Sequence, residues 1–533
     1  MSLNDQQEQR LAKLRALREQ GIDPYPPRCV RTHSAAEAIA RFQRLEPSLG
    51  TEPDPEPIAV VGRVVAIRDL GRIVFSHIRD GSGAIQIYLR RDLLGDERFA
   101  WFKRFVDLND FVEAQGNLFR TRTGEISVQV TEFRLLSKAL NPPPDKWHGL
   151  SDVETRYRQR YVDLLANEET RRIFVVRANL IRALRRYLDE RGFLEVETPT
   201  LQPLYGGAAA RPFTTYYHAL DQTFYLRISD ELYLKRLLVG GYDRVYEICK
   251  DFRNEGIDAR HSPEFTMLEF YAAYCDYLDV MQMCEEMVVY AAEQALGTLV
   301  IPWGEHTIDL TPPWRRLPLR QALIEYTGID FLEVTEQAEL YARARALGAD
   351  VQPTTVWPRI LDELLKTFVR PRLIQPTFVY DYPVVLSPLA KRKPDDPRLV
   401  ERFQLFIGGL ELANAYTELN DPLDQLARFL EQARDRDLGD EEAMPIDEDF
   451  INALMYGMPP TGGFGIGIDR LAMLFTNQQN IREVILFPQL RVKPEPTGLV
   501  EDLAPYLDLV TAPGQVTSAA PSPDNRSDRS DER

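Results

Sequence analysis

The sequence has little cysteine and no motif that would put it to structural use. Its four cysteines, Cys29, Cys249, Cys275 and Cys284, are widely spaced and none belongs to a CxxC, which excludes a disulfide scaffold and a zinc ribbon and fits a reducing compartment. The six histidines contain no HExxH pair. No run approaches the roughly 18 to 20 apolar residues needed to span a bilayer. The N-terminus, MSLNDQQEQRLAKLRALREQG, is charged and amphipathic and lacks the apolar core of a signal peptide. The expectation is a cytoplasmic protein with no membrane attachment. Positive charge is not in excess either: the net charge is −17 and the pI about 5.1, so a basic surface that wraps nucleic acid is excluded and only a locally basic module is left. What is present is apolar material for more than one core, 44% of 533 residues, beside 27% charged residues. At roughly 150 residues per domain, two to four domains are expected.

Periodicity divides the chain. Residues 1–57 read as a helical arm, with Leu11, Leu14 and Leu17 recurring among charged residues until Gly21 and the Pro24 to Pro27 cluster; a solvated helix awaiting a partner satisfies the pattern as well as a functional role does. From Ile58 the period becomes two. IAVVGRVVAIR, GRIVFSHIRD, GAIQIYLRRD, DFVEAQGNLFRT and EISVQVTEFRLL are alternating runs separated by turn residues, with the helix-like DERFAWFKRFV between the third and fourth. Five strands with a helix in that place are the pattern of a small OB β-barrel over residues 58–140. This segment carries 13 Lys and Arg against 10 Asp and Glu, so it is the one region whose charge suits a phosphate backbone. NPPPDKW opens a stiff linker, residues 141–155. A second, mixed α+β domain follows over 156–495. It begins with a helix from about Thr170 to Arg191, whose stripe of Ile173, Val176, Leu180, Leu184 and Leu188 suits a core or a dimer seam equally, and a strand FLEVETPTL. It ends with a strand VILFP near residue 488. Residues 496–533 form an extension expected to be disordered at its end, TSAAPSPDNRSDRSDER. No internal repeat is visible.

Three segments carry groups fit for chemistry. In RVYEICKDFRNEGIDARHSPEFTMLEFYAAY, a strand, loop and strand present Arg253, Glu255, His261, Phe265, Glu269 and Tyr271; alternation puts Glu269 with Tyr271 on one side, and Arg253 with Glu255. An arginine can hold a phosphate or carboxylate and an aromatic ring can stack a base. In ERFQLFIGGLELANAYTELND, Glu411, Asn414 and Glu418 are strand-borne groups able to hold Mg²⁺ on a nucleotide or a cationic ligand. In PPTGGFGIGIDRLAMLFT, glycines 462, 463, 465 and 467 allow close backbone approach, and Asp469 and Arg470 begin an apolar helix. The spacing is neither a dinucleotide fingerprint nor a P-loop. Taken singly, the three also fit a surface hairpin, an edge strand and a tight turn.

Their order is more specific. A helix running into a strand with Pro199, then FRNE followed by RHSPEF, then GIGIDRL at a helix start resemble the three ordered motifs of class II aminoacyl-tRNA synthetases. The preceding barrel resembles the aspartate, asparagine and lysine subgroup. GGAAARPF, SDELYLKRLLVGG, SPLAKR, ELANAYTELND and GIGIDRLAMLFTN are similar to the lysyl-tRNA synthetases, over residues 58 to 495. The resemblance implies an antiparallel catalytic sheet flanked by helices, a homodimer built on motif 1, ATP and lysine as substrates with Mg²⁺, and tRNA(Lys) as acceptor. It implies that Arg253 and Arg470 are the catalytic arginines. It places ATP contacts at Arg253, Asn254, Glu255, His261, Ser262, Phe265, Glu411, Leu412, Gly467, Ile468, Asp469 and Arg470, and lysine contacts at Gly207, Glu231, Glu269, Tyr271, Asn414 and Glu418. Two glutamates seven residues apart hold the metal in the family; here they are Gln404 and Glu411, and an amide in the first place brings no charge. Glu418 is a further candidate ligand. On the barrel the resemblance points to Phe75 and Gln86 for anticodon bases, with Arg63 or Arg68 on phosphate. Alternation alone leaves Phe75 open to a core position.

The residues agree with the lysine subgroup. Three acids and the Tyr271 phenol offer acceptors for two ammonium groups, and Arg253 offers a donor for a carboxylate. An aspartate pocket needs an extra Arg or Lys aimed at the side chain, and these segments display none. A ligase acting on a protein acceptor would lack the barrel, and a non-catalytic regulator would have lost the ATP residues.

Overall fold

Asn4 opens the first helix, α1 (Asp5–Glu19): its side chain accepts the Gln7 N–H, and the Gln7 side chain accepts the Asn4 N–H. Ser34 and Glu37 close the same box at α2 (Ala35–Leu49). In this computed structural model, which describes residues 3–144, 152–437, 444–492 and 498–510, the two helices do not form a separate arm. Leu17, Ala38 and Phe42 are buried in one core with the strands that follow. Arg10 donates to the carbonyls of Leu108 and Ala139. The awaited partner of the leucine stripe is the chain's own barrel.

That barrel is closed from β1 (Ile58–Asp69), β2 (Ile73–Arg79), β3 (Ala84–Arg90), β4 (Phe111–Arg120) and β5 (Ile126–Ser137), in the order β1-β2-β3-β5-β4. Only β3 and β5 run parallel, and between β3 and β4 stands α3 (Asp96–Phe105), which buries Phe99, Phe102 and Phe105. The chain divides into two compact units, Met1–Gly149 with Val492–Arg533, and Leu150–Arg491. The expected extension is helical over Leu499–Leu503 and continues as a 3₁₀ turn over Ala504–Val510. The expected disorder of the last residues, and residues 145–151 of the proline linker, lie outside the described residues.

The second unit is built on one eight-stranded sheet. Its strands are β6 (Leu194–Glu195), β7 (Arg244–Phe252), β8 (Glu264–Ala273), β9 (Arg315–Pro318), β10 (Thr377–Pro383), β11 (Leu399–Ile407), β12 (Leu410–Thr417) and β13 (Thr461–Gly467), in the order β9-β10-β11-β12-β13-β8-β7-β6. The six inner strands are antiparallel, and the two edge pairs are parallel. Period-two alternation gives the sheet two different faces. Leu268, Phe270, Ala272, Phe403, Leu405, Phe464 and Ile466 point into the main core. There they meet α4 (Glu168–Asp189), α6 (Tyr277–Leu296) and α7 (Ile468–Thr476), and the α4 stripe from Ile173 to Leu188 lies wholly in that core. The other face carries the polar groups.

Two expected strands are different. FLEVETPTL pairs only at Leu194–Glu195 and Leu201–Gln202, because Pro199 has no N–H and the Thr198 N–H is given to the Glu247 carboxylate. VILFP is no strand: a 3₁₀ turn at Ile481–Glu483 precedes it, and its backbone is held from the side. The buried Arg160 guanidinium donates to the carbonyls of Arg482, Ile485 and Leu486 at 3.0, 3.4 and 3.1 Å, so these acceptors face a cation rather than a neighbouring strand.

Candidate active site

The polar face of the sheet opens into a cavity of about 340 Å³. Its floor is β13, where Gly463, Gly465 and Gly467 turn no side chain upward. Tyr271 of β8 and Tyr416 of β12 flank Gly463 as register partners, and Glu269 and Asn414 flank Gly465. The glycine at 463 is obligatory in this arrangement, since a Cβ there would stand 1.8 Å from Glu418 Oε1. Gly207, with φ +85°, likewise passes close to Ser229.

One end of the cavity is acidic and closed. α5 (Glu231–Val239) begins with Glu231 and presents Lys235 one turn later. The Lys235 ammonium has no exposure; it lies 2.5 Å from Glu231 Oε1 and pairs also with Glu418. The Tyr416 hydroxyl donates to Glu231 Oε2 at 2.9 Å, while Ser229 and Tyr271 donate to Glu269 at 3.1 and 3.0 Å. Burial, together with the charges of Asp251 and Glu231, pushes the Glu269 carboxyl up to about 8. Behind it stand Asp230 and Asp251, with oxygens of the three acids within 4.8 Å of one another. Asp230 is fully buried, and neither of its oxygens has a partner within the protein. Burial and the charge of Glu269 hold its carboxyl well above the usual range. Arg227 compensates the far side, 2.7 Å from Glu247 and 3.6 Å from Asp251.

The other end is cationic. The Arg253 guanidinium lies 5.0 Å from the centre of the Phe265 ring and donates weakly to the Ile228 carbonyl. Arg470 is anchored by a 2.9 Å bond to the Glu411 carbonyl. Burial draws its pKa below the ordinary guanidinium value and the charges of Arg370, Arg253 and Arg260 add to this, against the pull of Glu411. Several cations converging with few carboxylates make an anion site.

The comparisons agree with this geometry. The family model "tRNA synthetases class II (D, K and N)" matches residues 152–491, and "OB-fold nucleic acid binding domain" matches 58–136. The chain is 58% identical to the lysine–tRNA ligase of Roseiflexus castenholzii, across 92% of this chain and 99% of that protein. It is 55% identical to that of Chloroflexus aurantiacus, over 92% and 99%, and 50% identical to that of Bacillus subtilis, over 92% and 98%. The chain belongs to the class II lysine–tRNA ligases.

Against the family's expected contacts, the cavity is lined by Gly207, Glu231, Glu269, Tyr271, Asn414 and Glu418 at one end. Arg253, Glu255, His261, Ser262, Phe265, Glu411, Leu412, Gly467, Asp469 and Arg470 line the rest. Three expected residues stand apart from this lining. Ile468 points into the core, because it opens α7, whose apolar residues Ile468, Leu471 and Ala472 face the core. Asn254 is exposed on the loop, its N–H bonded to the Arg211 carbonyl. Gln404 is buried, and its amide oxygen accepts from the Tyr382 hydroxyl at 2.7 Å. Asp469 reaches the cavity wall, but its oxygens already accept from Arg177 and the Thr266 N–H at 2.5 and 2.7 Å. As a donor set for magnesium, Glu411 and Glu255 offer carboxylates on the nucleotide side, while Asp469 is engaged by Arg177 and Glu418 is held by Lys235. Among the described residues the clusters of three potential ligands lie elsewhere, around Asp230.

No extra lysine or arginine aimed at a ligand side chain is expected from these segments, yet two cations do stand at the amino-acid end. Lys235 is there, and Arg402 bonds Asn414 Oδ1 at 2.8 Å. The signal for Lys235 was present in DELYLKR, since an acid and a lysine four apart share a helix face. Lys235 adds no free charge for a substrate carboxylate, being bracketed by two carboxylates.

On the barrel, Phe75 lies on the outer, half-buried face of β2 and stacks at 4.8 Å on Tyr88, which meets Phe119 at 5.3 Å. It is therefore no core residue. Gln86 donates to Glu125 at 2.6 Å, and His77 meets the same carboxylate at 2.6 Å; neither His77 nor Glu125 was expected from sequence. Arg68 is the cross-strand partner of Phe75, whereas Arg63 lies over the Phe111 ring at 4.4 Å.

Proposed function

We propose that the chain activates L-lysine with ATP, giving lysyl-adenylate and pyrophosphate, and then transfers the lysyl group to the 3′ end of tRNA(Lys). The observation that carries the reading is the single cavity with a closed acidic end facing an arginine end. In the first step a lysine carboxylate oxygen attacks the α-phosphorus, the bond to the bridging oxygen breaks, and pyrophosphate leaves. The carboxylate is already ionised at neutral pH and needs no general base. Arg253 holds the carboxylate against the α-phosphate, Arg470 neutralises the departing charge, and Phe265 stacks the adenine. Glu418, Glu269 and Tyr271 receive the two ammonium groups, with Glu231 bound to Lys235 and Tyr416 beside them. In the second step the ribose hydroxyl attacks the activated carbonyl, its proton is released, and AMP leaves. Bound magnesium, held by Glu411 and the ATP phosphates, would supply additional positive charge on the phosphates.

Phe75, Gln86 and Arg68 are the residues through which the barrel would take up anticodon bases and phosphate, by stacking, edge hydrogen bonds and charge. We also propose a homodimer, supported by the exposed apolar side chains Val175, Leu194 and Leu201 on the helix and strands of motif 1. A cytoplasmic setting agrees with four free cysteines, and no helix among the described residues is long and apolar enough to cross a membrane.

Pyrophosphate exchange into ATP with each of the twenty amino acids, without tRNA, tests the reading. Exchange with lysine alone is expected; exchange with aspartate or asparagine would overturn the pocket assignment. Binding should also move protons. With its carboxyl raised to about 8, Glu269 is mostly neutral in the empty site at pH 7. An ammonium ligand favours the ionised form, so lysine binds more tightly as pH rises toward that range and expels protons at pH 7. Calorimetry in buffers of different ionisation enthalpy reads this directly, and buffer-independent heat would exclude it.

A further inference from the structure

We infer that Lys235 is a built-in counter-ion that leaves the acidic end of the cavity with one unsatisfied negative charge. It acts as a positioning and specificity residue, and the inference rests on the lysine reading above. The groups facing its ammonium are Glu231 on α5, Glu418 after β12, Tyr416 on β12, and Tyr271 with the more distant Glu269 on β8. Nζ lies 2.5 Å from Glu231 Oε1 and pairs with Glu418 Oε2, and the Tyr271 and Tyr416 rings are centred 5.9 and 5.6 Å away. The Tyr416 hydroxyl takes the other oxygen of Glu231. Glu231 is therefore saturated from within the protein, and Glu418 Oε1, over the bare backbone of Gly463, is the acceptor left for a ligand. Two buried carboxylates and one buried ammonium sum to a single negative charge, which one incoming ammonium neutralises.

Removing Lys235 would leave two like charges facing each other in a dry site, where a proton is the available substitute. Removing Glu231 instead would leave Lys235 and Glu418 as a neutral pair that repels a second cation. Removing both restores the original sum. This reciprocity is specific to a charge role, because two packing defects would add.

The test measures lysine-dependent pyrophosphate exchange by the full-length enzyme from pH 6 to pH 9. It compares the wild type with Lys235→Met, Glu231→Gln and the double variant. Each single change is expected to raise the lysine KM on the order of 100-fold at pH 8 while the ATP KM holds. In Lys235→Met the lysine KM should fall toward acid pH, as a proton replaces the ammonium. The double variant should return to within about tenfold of wild type and lose that added pH dependence. Additive effects, or a Lys235→Met enzyme whose lysine KM is unchanged and flat with pH, would overturn the inference. If Lys235→Met does not fold, the double variant still decides: a lysine KM no better than that of Glu231→Gln alone overturns it. A wild-type enzyme that exchanges pyrophosphate without lysine overturns the functional reading and this inference together. Lysine-specific exchange with additive variants overturns this inference alone.

Discussion

Replacing Glu418 by glutamine is expected to lower lysine-dependent pyrophosphate exchange roughly 100- to 4000-fold while ATP binding is unchanged. Glu418 is almost fully buried, 1% exposed, and shares the Lys235 ammonium with Glu231. An amide keeps the shape and removes the charge, so an ammonium arriving there meets a Lys235–Glu231 pair with no negative charge left over. Stranding a buried charge costs about 3 to 5 kcal/mol, and each 1.4 kcal/mol is tenfold in binding. The arginine end retains every contact, because Arg253 and Arg470 are anchored to the carbonyls of Ile228 and Glu411. Parallel titrations with lysine and with a non-hydrolysable ATP analogue separate the two ends. Equal weakening of both would remove Glu418 from the amino-acid site.

The second large effect concerns stability. Arg160→Met should destabilise the second unit by about 3 to 5 kcal/mol, the cost of breaking a buried ion pair from one side. The Arg160 side chain has no exposure, pairs with Asp163 at 2.7 Å, and satisfies the carbonyls after the 3₁₀ turn at Ile481–Glu483. Methionine fills much of the volume but leaves these acceptors unpaired. Asp163 keeps Arg156 at 3.2 Å, which moderates the loss without covering it. Because a chain with two compact units need not unfold in one step, the quantity to follow is the urea midpoint of the second unit, reported by tryptophan fluorescence from Trp303 and Trp314 in its core. An unchanged midpoint would show that the carbonyls are satisfied in another way.

Legibility in the sequence followed the range of the interaction. The barrel strands were readable because alternation, turn residues and register are local, and the helix beginning near residue 170 carried its stripe in plain view. VILFP was misread since a β-branched, apolar run describes propensity, while the partner that decides its structure, Arg160, is more than three hundred residues away. The N-terminal helix was legible as a helix but its partner was not, because Leu17 and Phe42 share their core with barrel strands distant in sequence. Within the cavity, the acids and arginines were recognised by their order along the chain, a pattern of resemblance rather than spacing. Lys235 and Tyr416 were missed because their importance is relational, arising where α5 meets β12. Asp230 stands just before α5 and its side chain accepts no capping N–H, so nothing in its neighbours announces that its carboxyl is buried and unpartnered.

The glycine strand has a metrical consequence. Gly463 lies against Glu418 and Tyr271, Gly465 against Glu269, and Gly467 against Arg470. From the first to the last is four residues of extended backbone, about 13 Å at 3.3 Å per residue. The spacing of the backbone positions beneath Glu418 and Arg470 is thus set by main-chain geometry. β13 works as a ruler: whatever lies above it, the point under the acidic carboxylate and the point under Arg470 keep one separation.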